Sequence, residues 1–492
     1  MFKARRVANE SVSAWLPDHA VVVDGERIAD VVPGSSLPGD ATSGHRVYDL
    51  GDVSLLPGLI DCHSHLHCSA TPDAYQLVTT ESIDRLLLRA AANARIVLMS
   101  GVTTLRDLGC RNEVVFPLRD AIRAGLVPGP RLLLAGTPIT TTAGHCHMFG
   151  TEADTLDEVV TAVRRQKKLG ADCIKMMATG GMFTPTANPR TVQYPVETRA
   201  AVREAERLDM QIVAHTLSAD GVRNCVDAGI HHLVHARWLS ADPGQGLDYD
   251  PAVSRRMADQ GQWADVTWGL HLLGEEAIAR GAPPARPHWS VAARPVTVEE
   301  HLETARDMRG RGVRFNTGLD MGMAHARFDA SSANARAFVK WLGYTSWQAI
   351  AASTRETAES MRLGGELGAI RPGLVADLVS VSGDPATDSA AACSTVLPGP
   401  TATPGAAEAR GAPDDQRSSG DAHARLGRAR APRVPHRNRR PRPLHRLGRA
   451  QAGRGGGLRP GSAGGGPGHA LLVGDLDPQH RHAHLRVPAH PG

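Results

Sequence analysis

Two histidines, His63 and His65, are the residues whose type and spacing most directly indicate metal chemistry in this chain. They follow the apolar stretch that begins at Leu56 and are separated by one residue. Residues two apart in a β-strand project from the same face, so both imidazoles would point to one side. Imidazole nitrogens at the carboxyl end of a buried strand are suited to hold a metal ion in a barrel enzyme. The pair alone is a weak indication, because His-x-His also occurs by chance.

Four further polar residues lie in or at the ends of apolar, strand-like segments. They are Lys175, His215, His235 and Asp320. Lysine is rarely buried without a partner, although a surface lysine with its stem along an edge strand is an alternative for Lys175. Each residue taken singly could be a satisfied core polar group. Packing alone, however, gives no reason for ligand types at the ends of five separate strands.

The elements that would position these residues alternate along the chain. Strand candidates fall at 53–65, 103–108, 131–139, 173–178, 211–215, 232–236, 264–270 and 313–320. Helical patterns fall at 83–99, 156–169, 197–208, 221–228, 252–260 and 298–309. Eight alternations predict an α/β fold with a single (β/α)8 TIM barrel. Strand-like pieces at 20–32, 47–50 and 367–382 predict a small accessory β-sheet built from both flanks of the barrel.

The predicted domains are an N-terminal part of the accessory sheet at 1–55, the barrel at 56–364, a C-terminal part of the sheet at 365–385 and a tail at 386–492. The tail holds 16 Arg, no Lys, 7 acidic residues and no Phe, Trp or Tyr. It therefore carries a net charge of +9, whereas the whole chain carries +4. Such a composition cannot bury enough apolar surface to fold, which predicts a disordered extension or the product of a frameshift. A basic arm that attracts RNA or a membrane is the alternative.

The order His-x-His, Lys, His, His, Asp resembles the amidohydrolase superfamily. The resemblance is carried by the segments Leu55–His65, Gly101–Asp107, Ile174–Gly181 and Gly368–Leu378, and it covers roughly residues 1–385. The chain is similar to the imidazolonepropionase-like branch, which includes prolidase-like Xaa-Pro dipeptidases, Xaa-Arg dipeptidases and ochratoxin-type amidases. The resemblance implies a (β/α)8 barrel, two divalent metal ions bridged by a carboxylated lysine, and hydrolysis of an amide or related bond.

On this resemblance His63, His65 and Asp320 hold one metal ion, and His215 and His235 hold the second. The metal is expected to be zinc, and a carbamate formed from carbon dioxide on Lys175 would bridge the pair. Coordination lowers the pKa of water to roughly 7 in zinc sites, so a shared hydroxide could attack the substrate carbonyl. Asp320 is the expected catalytic residue, which takes the proton and passes it to the leaving nitrogen.

Three positions depart from the family pattern. Leu319 stands where Thr is usual, and Val234 and Ala236 flank His235 where the family has Glu and Gly. The first two changes remove polar side chains that could orient a ligand. We therefore expect metal binding to be retained and leave open whether these changes impair activity.

Candidate substrate contacts are His145, Tyr194 and His325. A predicted loop at 272–295 and a second at 180–194 carry cationic and aromatic residues, namely Arg280, Arg286, His288, Trp289, Arg294 and Arg190. Cations over the site would suit a carboxylate-bearing dipeptide or N-acyl amino acid, and a solvated surface loop is the alternative.

Two other functions stay open. One is opening of a cyclic amide of the imidazolonepropionase type, against which Lys175 argues, and the other is an inactive metal-binding scaffold with a basic binding tail.

Cysteine usage and hydropathy limit the compartment and the partners. Seven cysteines without a Cys-x-x-Cys pair do not form a disulfide framework, and they predict a reducing cytoplasm. No stretch has the length and hydropathy of a membrane-spanning or targeting segment. We expect a small-molecule substrate, a homo-oligomer, and neither a nucleic-acid nor a membrane partner.

Overall fold

Strands and helices alternate through most of the chain. The computed structural model describes residues 1–37, 46–282 and 294–387, together with the backbone of 393–397. The strands are β1 (Phe2–Ala8), β2 (Trp15–Asp24), β3 (Arg27–Pro33), β4 (Tyr48–Asp49), β5 (Val53–Pro57), β6 (Leu59–Ser64), β7 (Val102–Asp107), β8 (Arg131–Leu134), β9 (Ile139–Thr140), β10 (Thr151–Glu152), β11 (Cys173–Met177), β12 (Gln211–His215), β13 (His232–Val234), β14 (Trp263–Asp265), β15 (Arg314–Asn316), β16 (Leu378–Ser382) and β17 (Cys393–Leu397). The helices are α1 (Ala74–Thr80), α2 (Ile83–Met99), α3 (Asn112–Arg123), α4 (Leu156–Lys168), α5 (Arg199–Arg207), α6 (Ala219–Ala228), α7 (Pro251–Asp259), α8 (Trp268–Ala279), α9 (Val298–Gly310), α10 (Ser332–Leu342), α11 (Ser346–Ala351) and α12 (Thr357–Ser360).

The accessory sheet is built from both flanks of the chain, as the sequence predicts. Its strand order is β17-β16-β5-β1-β2-β3, and β4 pairs with β1. The N-terminal strand β5 lies between β1, to which it is parallel, and the C-terminal strand β16, to which it is antiparallel. Neither flank could complete this sheet without the other.

The remaining strands form two parallel sheets. The larger has the order β10-β9-β11-β12-β13-β14-β15, and the smaller has the order β6-β7-β8. Backbone hydrogen bonds link the two sheets at two places, directly after β15 and directly before β11. The Cys62 amide donates to the Thr317 carbonyl at 2.9 Å, and the Asp172 amide donates to the Leu134 carbonyl at 2.8 Å.

Alternation along the strands separates the helix-packed face from the interior face. On β11, Ile174 and Met176 belong to the large apolar cluster shared with the helices. Cys173 belongs instead to a small cluster of interior side chains, with Leu108, Ala135, Val213 and Val234. Lys175 is two residues from Cys173 and therefore lies on the interior face of the same strand.

Side-chain caps explain where several helices begin. Capping boxes start α4 with Thr155 and Glu158 and start α9 with Thr297 and Glu300. The Ser82 side chain accepts from the Arg85 amide at the start of α2. These contacts satisfy amides that have no partner inside the helix. Within the described part of the chain, no helix combines the length and hydropathy needed to cross a membrane.

Most predicted elements are confirmed, and the predicted strand at 264–270 is wrong in its second half. Strand β14 ends at Asp265, and α8 begins at Trp268. Trp268, Leu272 and Leu273 are buried along α8. The apolar residues that predict a strand here therefore form the buried face of a helix. The predicted loop at 272–295 therefore begins within a helix, and residues 283–293 lie outside the described residues.

The predicted limits of the accessory sheet are also too narrow. The expected strand at 53–65 is two strands, of which β5 belongs to the accessory sheet and β6 to the smaller parallel sheet. Strand β17 lies beyond the predicted end at 385 and pairs with β16. Apart from residues 386–387 and β17, the predicted tail lies outside the described residues.

Candidate metal centre

Three side chains from two distant parts of the chain converge at the carboxyl ends of the strands. The Nε2 atoms of His63 and His65 lie 3.3 and 3.2 Å from Oδ1 of Asp320. In the described ranges, these three residues form the group whose possible ligand atoms all lie within 4.8 Å of one another. All three are buried.

The other ring nitrogens of the two histidines are held by fixed partners. Nδ1 of His63 lies 2.7 Å from Oδ2 of Asp265, and Nδ1 of His65 lies 2.9 Å from the Gly109 carbonyl. A histidine held at Nδ1 by a carboxylate or carbonyl is oriented to present Nε2 to a metal ion. Asp265 is therefore a supporting residue that the sequence analysis missed. The available signal was its place at the end of an apolar strand, as for Asp320.

The donor set fits a cation. The Gly109 carbonyl can only accept, so His65 must carry a hydrogen on Nδ1 and, when neutral, presents a lone pair at Nε2. That lone pair faces Oδ1 of Asp320, which is buried and has no hydrogen-bond partner among the described residues. Burial acts to lower the pKa of His65, but the Asp320 carboxylate outweighs it and the net shift is upward. The space between Nε2 of His65 and Oδ1 of Asp320 therefore favours a positive charge, which a bound divalent ion would supply.

The remaining predicted ligand histidines lie next to this group. Nε2 of His235 is 4.0 Å from Oδ2 of Asp320, and its Nδ1 is 3.0 Å from Oγ1 of Thr267. The His215 ring lies 4.7 Å from the His235 ring, and Nε2 of His215 is 3.2 Å from the Gly180 carbonyl. Both rings therefore lie next to His63, His65 and Asp320. They do not belong to the group whose possible ligand atoms all lie within 4.8 Å of one another.

Lys175 is buried beside these groups, with 1% of its surface exposed. Burial lowers the pKa of its amine to about 8, against the opposing charges of Asp320 and Asp265. About a tenth of the amine is therefore neutral at pH 7, far more than for an exposed lysine. Neutral amines are nucleophilic, whereas ammonium ions are not.

Burial also sets the charge of the other groups in the centre. It lowers the pKa of His63, His215 and His235 well below the ordinary value, which keeps the imidazoles neutral. Burial, assisted by the charge of Asp320, raises the pKa of Asp265 to about 8. A divalent cation held beside His63 would lower this pKa again and favour the carboxylate form of Asp265, which accepts from Nδ1. For Asp320, burial acts to raise the pKa, but the neighbouring His63 and His65 lower it strongly, so Asp320 is a carboxylate at neutral pH.

Backbone strain is concentrated at the strand ends that form this centre. The φ angles of His235, Ala236, Thr267 and Asp320 are 67°, 46°, 50° and 60°. A non-glycine residue in this left-handed region costs about 1–3 kcal/mol, and such residues cluster at functional sites. The packing of the surrounding strands holds these residues in the conformations that bring them together.

The three candidate substrate contacts lie in different environments. His145 is 3% exposed, its ring lies 4.5 Å from that of His215, and its Nδ1 has no partner within the described ranges. His325 follows Asp320 and has a φ of 71°. Tyr194 packs in the large apolar cluster, and its hydroxyl donates to the Ala153 carbonyl at 2.7 Å. That contact uses the hydroxyl within the core, so only His145 and His325 are kept as substrate-binding proposals.

The predicted loop cations have protein partners where the structure describes them. Arg190 donates to the carbonyls of Ser240 and Gly246. Arg280 lies 3.9 Å from Glu276, and Arg294 lies 2.7 Å from Glu300. Arg286, His288 and Trp289 lie outside the described residues. The described part of the loops therefore gives little support to recognition of a carboxylate.

The departures from the family pattern are apolar replacements within packed regions. Leu319 is fully buried in the apolar cluster behind β6–β8, and Val234 belongs to the small interior cluster. Ala236 adopts the left-handed conformation described above. None of these side chains displaces His63, His65 or Asp320 from the converging group.

Comparison with known proteins decides the family. The family model described as "Amidohydrolase family" matches residues 54–404. The chain belongs to the amidohydrolase family. This amidohydrolase is 26% identical over 410 residues to ochratoxinase from Aspergillus niger, an alignment that covers 76% of this chain and 79% of that protein.

Two solved structures extend the comparison. A prolidase complexed with N-methylphosphonate-L-proline is 26% identical to this amidohydrolase, with a TM-score of 0.68 and coverage of 80% of this chain and 97% of that one. A Xaa-Pro dipeptidase with methionine bound in its active site is 25% identical, with a TM-score of 0.66 and coverage of 79% and 94%. The amidohydrolase is thus a hydrolytic enzyme that acts on carbon–nitrogen bonds, and its relatives include prolidase-like enzymes.

Proposed function

We propose that this enzyme is a metal-dependent hydrolase of amide bonds in dipeptides or N-acyl amino acids. The observation that carries the metal dependence is the convergence of His63 and His65 on Oδ1 of Asp320. The prolidase-like relatives support the substrate class, because prolidases and Xaa-Pro dipeptidases act on peptides.

The proposed ligands form two sets. His63, His65 and Asp320 would hold one ion, and His215 and His235 would hold the second, with zinc as the proposed metal. Lys175 Nζ would add carbon dioxide and lose a proton, and the resulting anionic carbamate would lie between the two sets. Its burial and partly neutral amine support this modification. Bound divalent ions would polarise the substrate carbonyl and make hydroxide available at neutral pH.

Other steps of the proposed reaction are carried out by side chains and backbone groups of the chain. Asp265 and the Gly109 carbonyl hold the rings of His63 and His65 in place. Asp320, ionised at neutral pH, accepts the proton of the attacking water and delivers it to the leaving nitrogen. Among the described residues, Nδ1 of His145 has no partner. Burial lowers the pKa of His145 to about 3, so the ring stays neutral and can make one further hydrogen bond to substrate.

The proposed fold around this site is a closed (β/α)8 barrel. The parallel strand order of the two sheets supports closure, and so do the backbone hydrogen bonds that link β6 to the residue after β15 and β8 to the residue before β11. In such barrels the active site lies at the carboxyl ends of the strands, where these ligands are placed. We also propose a cytoplasmic homo-oligomer that acts on a small molecule without nucleic-acid or membrane partners.

Metal analysis combined with amide hydrolysis tests the proposed function. We expect about two zinc ions per purified chain and hydrolysis of N-acyl amino acids or dipeptides. Chelation should abolish hydrolysis, and added zinc should restore it. A metal-free protein that hydrolyses these amides at the same rate, or a zinc-loaded protein that hydrolyses none of them, would overturn the proposal.

A further inference from the structure

An aromatic cluster is formed by three segments that follow different strands. Tyr75 lies on α1, Phe149 lies between β9 and β10, and Phe183 lies on the loop after β11. The Phe183 ring is 5.8 Å from Tyr75 and 6.4 Å from Phe149, in edge-to-face arrangements. Phe149 is 3% exposed, whereas Tyr75 and Phe183 are only partly buried. The cluster therefore has a fixed, buried base and two partly exposed rings.

A single glycine separates this cluster from a proposed metal ligand. A Cβ placed on Gly109 would lie 3.2 Å from the His65 ring and 3.4 Å from the Phe149 ring. Phe149 also packs edge-to-face on His67, with ring centroids 4.9 Å apart. The aromatic cluster is thus packed directly beside the side of the centre that His65 occupies.

The loop after β11 makes a second connection between the centre and the cluster. The Gly180 carbonyl lies 3.2 Å from Nε2 of His215, and the next residue, Gly181, lies against the His145 ring. Two residues later Phe183 joins the aromatic cluster. Phe183 is only two residues after Gly181, so a substrate group that contacts His145 lies close to the Phe183 ring.

The surroundings of the cluster are apolar. Met148 and Met323, each partly buried, pack with Phe183 on the same apolar cluster. The nearby Arg111 donates to the carbonyls of Val78 and Met148, and Arg89 pairs with Glu81. These cations are already engaged with protein groups, so the surface favours a ring or another bulky apolar group over a carboxylate.

We propose that Tyr75, Phe149 and Phe183 form a subsite that takes an aromatic or similarly bulky apolar group of the amide substrate. This inference rests on the proposed amide hydrolysis at the metal centre and specifies its substrate class. Edge-to-face contacts with two rings, added to the apolar area that an aromatic group buries, should select an aromatic over a methyl substituent by about tenfold or more.

Matched amides test the subsite. N-acetylphenylalanine is compared with N-acetylalanine, and N-benzoylalanine with N-acetylalanine, by kcat/KM and by calorimetric binding to the zinc-loaded, full-length enzyme. We expect at least one aromatic member to be preferred tenfold or more. Phe183→Ala and Tyr75→Ala should each lower kcat/KM for that aromatic member and leave the alanine compound within about threefold. Met182→Ala is the control, because this neighbour of Phe183 is 54% exposed, and it should leave the preference unchanged.

The outcomes separate the subsite from the proposed reaction. Hydrolysis of all the amides with no aromatic preference would overturn the subsite and leave the reaction in place. No hydrolysis of any amide, but tighter binding of an aromatic member that Phe183→Ala removes, would support the subsite and overturn the reaction. An equal loss on aromatic and small substrates in Phe183→Ala would also overturn the subsite, because it would show that the ring only supports the fold.

Discussion

Single residues in the candidate metal centre are held by partners that are not themselves proposed ligands. Asp265 fixes the His63 ring, the Gly109 carbonyl fixes the His65 ring, and Thr267 fixes the His235 ring. Each of these contacts occupies Nδ1 and leaves Nε2 directed at Asp320. The carboxylate of Asp320 is thus the residue toward which all three rings are oriented.

Replacing Asp320 should remove catalysis to a greater extent than metal. In Asp320→Asn an amide oxygen can still contact a metal ion, but the group that accepts the proton is lost. We expect kcat to fall about 10²–10⁴-fold while more than half of the metal is retained. Asp329→Asn is the matched control, because Asp329 is an exposed carboxylate on the same segment that pairs with Arg327. An unchanged kcat in Asp320→Asn would assign proton transfer to another residue.

Lys175 tests the anionic bridge. Lys175→Ala should lose most of its metal and its hydrolytic activity, because the two ligand sets would face each other without an intervening anion. Short-chain carboxylic acids should partly restore both by occupying the vacated space. Lys340→Ala removes an exposed lysine that pairs with Glu275 and should change neither property. Full activity of Lys175→Ala without added acid would contradict the two-metal arrangement.

His232 shows how a buried residue outside the metal centre makes stability depend on pH. Its Nε2 lies 2.8 Å from the Ser360 carbonyl, and its Nδ1 lies 3.3 Å from the Arg106 guanidinium. Burial, and then the charge of Arg106, lower its pKa well below the ordinary value. The unfolded chain therefore takes up a proton that the folded chain does not, and the stabilisation is fully present above about pH 6.5 and lost as the pH falls below it.

We accordingly expect His232→Gln to be less stable than the parent by about 1–3 kcal/mol at pH 7.5. The difference should narrow as the pH is lowered to 5.5, because glutamine has no proton to gain. Urea midpoints measured in the presence of chelator at both pH values check this without interference from metal loss. The control is His19→Gln on β2. A constant difference for His232→Gln across this range would show that His232 gains a proton as readily in the folded chain as in the unfolded chain.

At the scale of elements, the loop after β11 runs from the candidate metal centre to the aromatic cluster, and at Gly180 and Gly181 it has no room for a side chain. A Cβ on Gly181 would lie 2.4 Å from the His145 ring. The His145 ring in turn packs against His215. The position of this loop is therefore coupled to two rings at the active face.

Gly181→Ala should displace either the loop or His145 and lower kcat/KM by about 10²-fold, because catalytic geometry is sensitive to shifts of about 1 Å. The global fold should persist, with a circular dichroism spectrum like that of the parent. Gly274→Ala is the control, since this glycine lies within α8 and a Cβ there meets nothing within 4 Å. That control should be slightly stabilised, by about 0.5–1 kcal/mol. Normal activity in Gly181→Ala would show that the loop does not position His145.

At the scale of the whole molecule, the accessory sheet joins the two flanks of the chain. Strand β16 pairs with β5 on one side and with β17 on the other. Arg131 on β8 also contacts Asp377, just before β16, at 2.6 Å. The C-terminal flank therefore supports both the accessory sheet and the parallel strands.

Shortening the chain separates the contribution of β17 from that of the residues after it. An enzyme ending at Arg410 retains β17. Its metal content should therefore equal that of the full chain, and its Tm should lie within a few degrees of the full chain's. An enzyme ending at Thr387 lacks β17 and leaves β16 with an unpaired edge, which should lower Tm by more and promote association through that edge. Differential scanning calorimetry and light scattering measure both effects. A large fall in Tm for the longer of the two would show that residues after 410 stabilise the fold.

The sequence by itself determined the type of each proposed ligand and most of the elements that carry them. Strand Gln211–His215 and helix Ile83–Met99 have the predicted bounds, because alternation and helical periodicity are local properties of the chain. His63, His65 and Asp320 were likewise predicted from strand ends and from the family resemblance. What these patterns could not provide was the relative position of side chains that lie more than two hundred residues apart.

Only the tertiary structure decided which residues support the proposed ligands and which aromatic rings adjoin them. Asp265 reaches His63 because β14 and β6 end near the same point, and Tyr194 turns into the core because its hydroxyl finds the Ala153 carbonyl. Neither contact has a local signal, since each depends on the packing of strands and loops distant in sequence. The aromatic cluster has the same origin, because its three rings come from three separate segments and meet only when the strand ends are assembled.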